Sequence, residues 1–167
     1  MKYIIDSNCF IQAHRMSYPL DVATGFWTKF KELAESGRMF SLDKVKEEIC
    51  RGTGEDDLKS WCEENLPDSF FLEMTSETLD EYRKICGWAQ SNTQYTQAAK
   101  TVFMDQNRAD AFLVAFAATN VENWTVVTQE VSAPLSKNNI KLPDACKIKN
   151  VCSINIMDMF RELEETF

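Results

Sequence analysis

Little in this chain would break it into pieces. Only 5 glycines and 4 prolines occur in 167 residues. No linker, internal repeat or low-complexity stretch interrupts it, which excludes a disordered or repeat architecture. Long apolar runs are also missing. The longest, Ala111 to Ala118, is far too short to span a bilayer, and no signal-peptide pattern follows Met1, so a cytosolic protein is expected. Histidine is almost absent, His14 being the single one. The 6 cysteines (Cys9, Cys50, Cys62, Cys86, Cys146 and Cys152) form no Cys-x-x-Cys pair. A structural zinc site needs four Cys or His ligands at tight spacing, so the sequence argues against zinc. In a reducing compartment such thiols behave as small buried hydrophobes.

Positive charge is scarce as well. There are 18 basic against 26 acidic residues, a net charge of −8, which at first sight disfavours a nucleic-acid partner. The excess is local, however. Between Glu55 and Glu81 stand 10 acids and one base, Lys59, so the rest of the chain is close to neutral. The segment from Val131 to Asn150 carries Lys137, Lys141, Lys147 and Lys149 against Asp144 alone. The acidic block reads as a solvated helical face, and the remaining surface is open to a polyanion.

Apolar residues make up 44% of the chain, enough for one domain with a sizeable core over residues 1–167. Tyr3-Ile4-Ile5 is a short run of strand formers without polar alternation, as expected of a strand covered on both faces. Ligands of open α/β sheets sit beyond the carboxyl ends of the strands. Asp6, where this strand ends, therefore points into such a crevice or caps the helix that follows. Both readings stay open on these residues alone.

Further along, helices are expected over residues 8–15, 21–36 (with Val22, Phe26, Trp27, Phe30, Leu33 and Ala34 inward), 43–50, 55–65 and 75–89, the last carrying Leu79, Tyr82 and Ile85 on its inner face. Gly37 stops the second of these, and Gly52 to Gly54 forms a turn. Residues 93–104 look helical, and Ala109 to Thr119 is the most apolar helix of all. Short strands are expected at 39–42, 70–72, 124–128 and 151–154. Residues 129–142 read as a loop, followed by short helices at 143–149 and 155–165. This alternation predicts an α/β layered fold with a mainly parallel sheet of about five short strands flanked by helices.

Four acids lie beside apolar structure. Asp6 closes the first strand. Glu48, three residues after Val45 on the flank that carries Ile49, faces inward more than its neighbour Glu47. Asp110 opens an otherwise apolar helix, where a carboxylate is either a simple cap or held by a cation. Glu130 follows the late strand and, taken alone, is a loop acid. Gathered at one crevice, such carboxylates repel, so the cluster is stable only with protons or metal. Oxygen-only ligands select magnesium or manganese. Two such ions can activate water and steady the leaving oxygen in phosphodiester cleavage, with no serine or cysteine nucleophile. His14 could orient a phosphate or be a partly buried helical histidine.

Ile-Ile-Asp-Ser-Asn at the start, Val-x-x-Glu-Ile-x-Arg-Gly some forty residues on, Ala-Asp-Ala before an apolar helix and Thr-Val-Val-Thr-x-Glu at the late strand together resemble the PIN-domain nucleases. The VapC toxins of bacterial toxin–antitoxin pairs are the best-known members. The Trp-rich second helix and Leu-Pro-Asp-Ala-Cys near the end resemble an uncharacterised prokaryotic branch of that group. The resemblance covers nearly the whole chain. It implies a three-layer PIN-like fold, an acidic metal-binding crevice, and cleavage of RNA dependent on Mg2+ or Mn2+.

Asp6, Glu48 and Asp110 match the three core carboxylates of the family. Asn8 or Ser7 would orient Asp6 or bind a metal water, and Thr128 matches the small hydroxyl residue after the fourth strand. The fourth acid departs from the toxin pattern, since the positions two and five after Thr128 hold Glu130 and Ala133. Glu130 takes that role, or Asp144 does. Lys137, Lys141 and Arg108 are candidate phosphate contacts. A cognate antitoxin is the expected partner, and exposed apolar residues on the second helix would permit a homodimer. Two other readings remain: a PIN-like interaction module with little or no catalysis, and a phosphatase using Asp6. Against the latter, Asn8 stands where such enzymes place a second aspartate.

Overall fold

The computed structural model of the chain describes residues 1–51 and 57–167. Its centre is one five-stranded sheet: β1 (Lys2–Ile5), β2 (Met39–Leu42), β3 (Phe71–Leu72), β4 (Trp124–Val127) and β5 (Cys152–Ile154), in the order β3-β2-β1-β4-β5. Every pairing is parallel. Tyr3, Ile4 and Ile5 are consecutive and all buried. Side chains alternate between the faces of a strand, so helices cover both faces and the fold has three layers. A backbone donor extends two of the ladders past their last strand residues: Asp6 N–H bonds to Val127 O at 2.9 Å and Thr128 N–H to Ile154 O at 3.0 Å.

The chain builds outward from β1 to β2 and β3, then returns to place β4 on the other side of β1. The strand order thus reverses between β1 and β4. At such a switch point the connections leave in opposite directions and open a crevice at the carboxyl ends. Asp6 and Thr128 are the residues that stand there.

Helices α1 (Ser7–Gln12), α2 (Thr24–Glu35), α3 (Asp43–Cys50), α4 (Asp57–Asn65), α5 (Ser76–Ser91), α6 (Gln97–Phe103), α7 (Asp110–Ala118), α8 (Leu142–Ile148) and α9 (Ile156–Glu162) follow the apolar spacing closely. A π turn, Ala13–Ser17, continues α1, and the expected turn at Gly52 to Gly54 lies outside the described residues. On α2, Phe26, Trp27, Phe30, Leu33 and Ala34 are all buried. They join an aromatic cluster in which the rings of Phe10 and Phe30 lie 4.9 Å apart and those of Trp27 and Trp61 lie 4.7 Å apart. The apolar side chains of α2 are therefore taken up by the core, and the apolar residue of the expected second helix that stays exposed is Val22, just before α2. Gly37 stops the chain just after this helix with φ +67°, a conformation that costs glycine little.

Some expectations shift. Val22 precedes α2 and is exposed, and Leu79 on α5 is likewise exposed. The helix expected from residue 93 begins only at Gln97, because Thr96 supplies the cap: its hydroxyl accepts the Ala99 N–H at 3.2 Å. Thr75 caps α5 in the same way, accepting the Thr78 N–H at 3.1 Å. Thr75→Ala should cost about 1 kcal/mol of stability, read as a lowered denaturation midpoint with unchanged m-value.

Candidate active site

Asp6 immediately precedes α1, with φ −77° and ψ 151°, yet its carboxylate makes no capping bond to that helix. It is turned inward and fully buried. Thr128 Oγ1 donates to Oδ2 at 2.8 Å, Asn8 Nδ2 to the same oxygen at 3.2 Å, and Ser7 Oγ to Oδ1 at 3.4 Å. Thr128 Oγ1 in turn accepts the Glu130 N–H at 3.1 Å, which fixes the direction in which the chain leaves β4. Among the described residues no lysine or arginine pairs with Asp6.

Asp110 is the first residue of α7, and Ala109, not Asp110, is the N-cap. The helix is buried almost all round, from Ala111 to Ala117, and stacks Phe112 on Tyr82 of α5 with ring centroids 4.0 Å apart. That packing sets where its N-terminus ends. A carboxylate is favoured there by the helix dipole, and Arg108 forks onto Asp110 Oδ2 through Nε (3.2 Å) and Nη2 (3.1 Å).

Glu48 reaches across from α3. Its Oε1 accepts the Ala109 N–H at 2.8 Å, satisfying a backbone donor at the start of α7. Arg51 secures the same approach by donating to Asn107 O at 2.5 Å. Glu130 accepts the Leu142 N–H at 2.7 Å and the Lys141 ammonium at 3.3 Å.

Four elements thus bring four carboxylates within electrostatic reach of one another. Burial pushes the Asp6 carboxyl up to about 7, and the charges of Asp110, Glu48 and Glu130 push the same way, against the Thr128 hydrogen bond. Asp110 is also raised, by burial first, with Glu130 and Glu48 adding and Arg108 opposing.

Asp144 finds its partners elsewhere. It accepts bonds from the Ser132 hydroxyl, from the Ala133 N–H at 2.7 Å and from Lys147 Nζ at 3.1 Å. Burial would raise its carboxyl, but these three donors outweigh burial and hold it below the usual range. Its evident work is to pin the loop between β4 and α8. Of the basic candidates, Arg108 and Lys141 are engaged by acids of the crevice, and Lys137 is exposed with its carbonyl accepting the Thr96 N–H. His14 is only half-buried, although its Nδ1 has no partner among the described residues. Arg108 and Lys141, expected to contact phosphate, pair instead with Asp110 and Glu130. Arg108 stands two residues before Asp110, a local signal, whereas Lys141 and Glu130 are 11 residues apart and the sequence carries no signal for their pairing.

Among the described residues no three ligand-type side chains already form a cation cage. The donor set nonetheless fits a hard divalent cation. All four candidates are carboxylates, which suit Mg2+ or Mn2+. Asp6 is a fully buried carboxylate without a counter-cation, beside further negative charge. Asp6, Glu48, Asp110 and Glu130 are the residues that would hold the ion.

Comparison with known proteins agrees with this architecture. No curated protein matches the chain. Among solved structures, a chain in the crystal structure of VapBC2 from Rickettsia felis bound to a DNA fragment from their promoter superposes with a TM-score of 0.56. It covers 93% of this chain and 98% of that one at 14% identity. A likeness at that identity speaks for the fold, and it shows the PIN-like fold implied by the motifs. No helix among the described residues is long and apolar enough to cross a membrane. From residue 3 to residue 167 the sequence matches one family throughout, and the chain belongs to it: the family described as Domain of unknown function (DUF4411).

Proposed function

We propose that this protein is a metal-dependent endoribonuclease, folded as a single PIN-like domain over residues 1–167 and acting in the cytosol as the toxin of a toxin–antitoxin pair. The observation that carries the reading is Asp6: a fully buried carboxylate at the switch point, with no counter-cation among the described residues and with Asp110, Glu48 and Glu130 acting on it. A buried charge without a partner costs several kcal/mol, and a divalent cation is the natural compensation. The toxin role and an antitoxin partner draw on the fold shared with the VapBC2 structure.

In this reading Asp6, Glu48, Asp110 and Glu130 bind Mg2+ or Mn2+. We assign the fourth position to Glu130 because Asp144 is already committed to Ser132, Ala133 and Lys147. When bound, the ion supplies Lewis-acid charge at the scissile phosphodiester. Asn8 and Thr128 both donate to Asp6 Oδ2 and so hold the carboxylate in one orientation. The α7 N-terminus adds partial positive charge beside the phosphate. Lys137, exposed on the loop above, is free to contact the RNA backbone.

The test is cleavage of a mixed RNA pool by the purified protein. Endonucleolytic products should form with Mg2+ or Mn2+ and stop with EDTA. Expression alone should slow bacterial growth, and Asp6→Asn should relieve it. A protein that neither binds Mn2+ nor cleaves any RNA would instead be a PIN-like interaction module. One observation favours that second reading: Arg108 and Lys141 already neutralise Asp110 and Glu130.

A further inference from the structure

Arg108 stands where the crevice needs a cation. Both of its bonds go to a single oxygen of Asp110. The Arg108 side chain is 46% exposed, while the Asp110 side chain that it grips is only 13% exposed. Burial works against the charge of Arg108, but Asp110, Glu48 and Glu130 all favour it and prevail. Three of the four proposed metal ligands therefore act on this one side chain. Beside it lies a cavity of about 50 Å³, whose lining includes Arg108, Asp110, Glu130 and Lys141, room for no more than about one or two water molecules.

While Arg108 forks onto Asp110 Oδ2, its positive charge stands where a divalent cation would approach that carboxylate, and the two cations repel. Arg108 precedes α7 in the polar segment 105–108 and has an open outer side, so it can turn away without disturbing the packing of the helix. A fork of N–H donors released at that rim matches a phosphate in geometry and charge.

We propose that Arg108 is a built-in competitor of the divalent cation: it holds Asp110 in the metal-free protein, gives up the carboxylate when the ion binds, and then takes a phosphate of the RNA strand. The inference rests on the ribonuclease reading above, and it adds an order of events to it. Metal entry and phosphate recognition become two halves of one exchange. The Asp110 side of the pair is only 13% exposed, so removing Arg108 leaves a poorly solvated carboxylate and lowers the stability of the metal-free protein, a loss that the bound ion restores.

The experiment is a Mn2+ titration without RNA, followed by electron paramagnetic resonance and calorimetry, on the full chain and on Arg108→Gln and Arg108→Lys. Circular dichroism checks that each variant is folded. Arg108→Gln should bind Mn2+ about tenfold more tightly or better, because the competing state is gone, and Arg108→Lys should fall between it and the parent. In cleavage assays with Mn2+ saturating, Arg108→Gln should raise KM for RNA more than it lowers kcat.

Equal or weaker Mn2+ binding by Arg108→Gln, in a parent protein that does bind Mn2+ and cleave RNA, overturns the exchange and leaves the ribonuclease reading intact. Absence of Mn2+ binding in all three proteins overturns both.

Discussion

Asp6→Asn should make the metal-free protein more stable while removing its activity. At pH 8 the melting temperature should rise by about 5–10 °C, since relieving a few kcal/mol shifts a chain of this length by roughly 2–4 °C per kcal/mol. RNA cleavage should fall by on the order of a thousandfold. The two effects have one cause. Asp6 is fully buried, and its charge is opposed by burial and by Asp110, Glu48 and Glu130.

Asparagine keeps the local bonds. Its carbonyl oxygen can accept from Asn8 and Thr128, which both address Oδ2, and its amide can donate to the Ser7 hydroxyl on the other side. Only the charge is lost. Differential scanning fluorimetry in EDTA, beside a cleavage assay in Mn2+, reads both outcomes. A drop in melting temperature would show that Asp6 is a structural acceptor, and retained cleavage would remove it from the site.

The second large effect is on the pH dependence of stability. Asp6 sits near 7 in the folded chain against about 4 for an unfolded aspartate. Between those values the native state binds more protons than the unfolded state, so stability falls as pH rises through that window. Below about pH 4 the cost is absent, and above about pH 7 it is fully present. A gap of roughly three units corresponds to on the order of 4 kcal/mol, and Asp110, raised for the same first reason, adds in the same direction.

A bound cation reverses the sign, because it requires the deprotonated carboxylates. Metal-free protein should thus melt progressively lower from pH 4.5 to pH 8, and protein saturated with Mn2+ should show the opposite slope over the same range. A metal-free curve that is flat across that range would mean that the carboxylates do not repel as their placement requires.

These two experiments also separate the proposed nuclease from an interaction module built on the same fold. A module that never binds metal would gain nothing from keeping Asp6 buried and uncompensated. Its stability would fall with rising pH in Mn2+ as it does in EDTA. A nuclease converts the same repulsion into affinity for the ion. The acid cluster weakens the empty protein and strengthens the loaded one, and the sign of the slope in Mn2+ decides between them.

Much of the architecture follows from local pattern. The unbroken apolar run Tyr3-Ile4-Ile5 fits only a strand covered on both faces, and all three residues are buried. The apolar stripe of α2 and the nearly uniform apolarity of α7 fixed what each helix buries, because a side chain's position around a helix depends on residue spacing alone. Errors fell at the helix ends. Val22 looked like part of the stripe but lies before the helix start, and residues 93–96 looked helical although the Thr96 hydroxyl caps a helix that begins four residues later than expected, at Gln97.

The sequence also placed Asp6 at a strand end, Asp110 at a helix start and Glu48 on the inner flank of its helix, since each lies within a few residues of the element that orients it. What those carboxylates face was decided only by the tertiary structure. Asp6 meets Thr128 across 122 residues, and Glu48 meets the Ala109 N–H across 61. Asp144 turned to Ser132, Ala133 and Lys147, while Arg108 and Lys141 turned to Asp110 and Glu130. Local sequence sets the direction in which a side chain leaves the backbone. Its partner is set by which distant elements the order of the sheet brings alongside, here the reversal that lays β4 against β1.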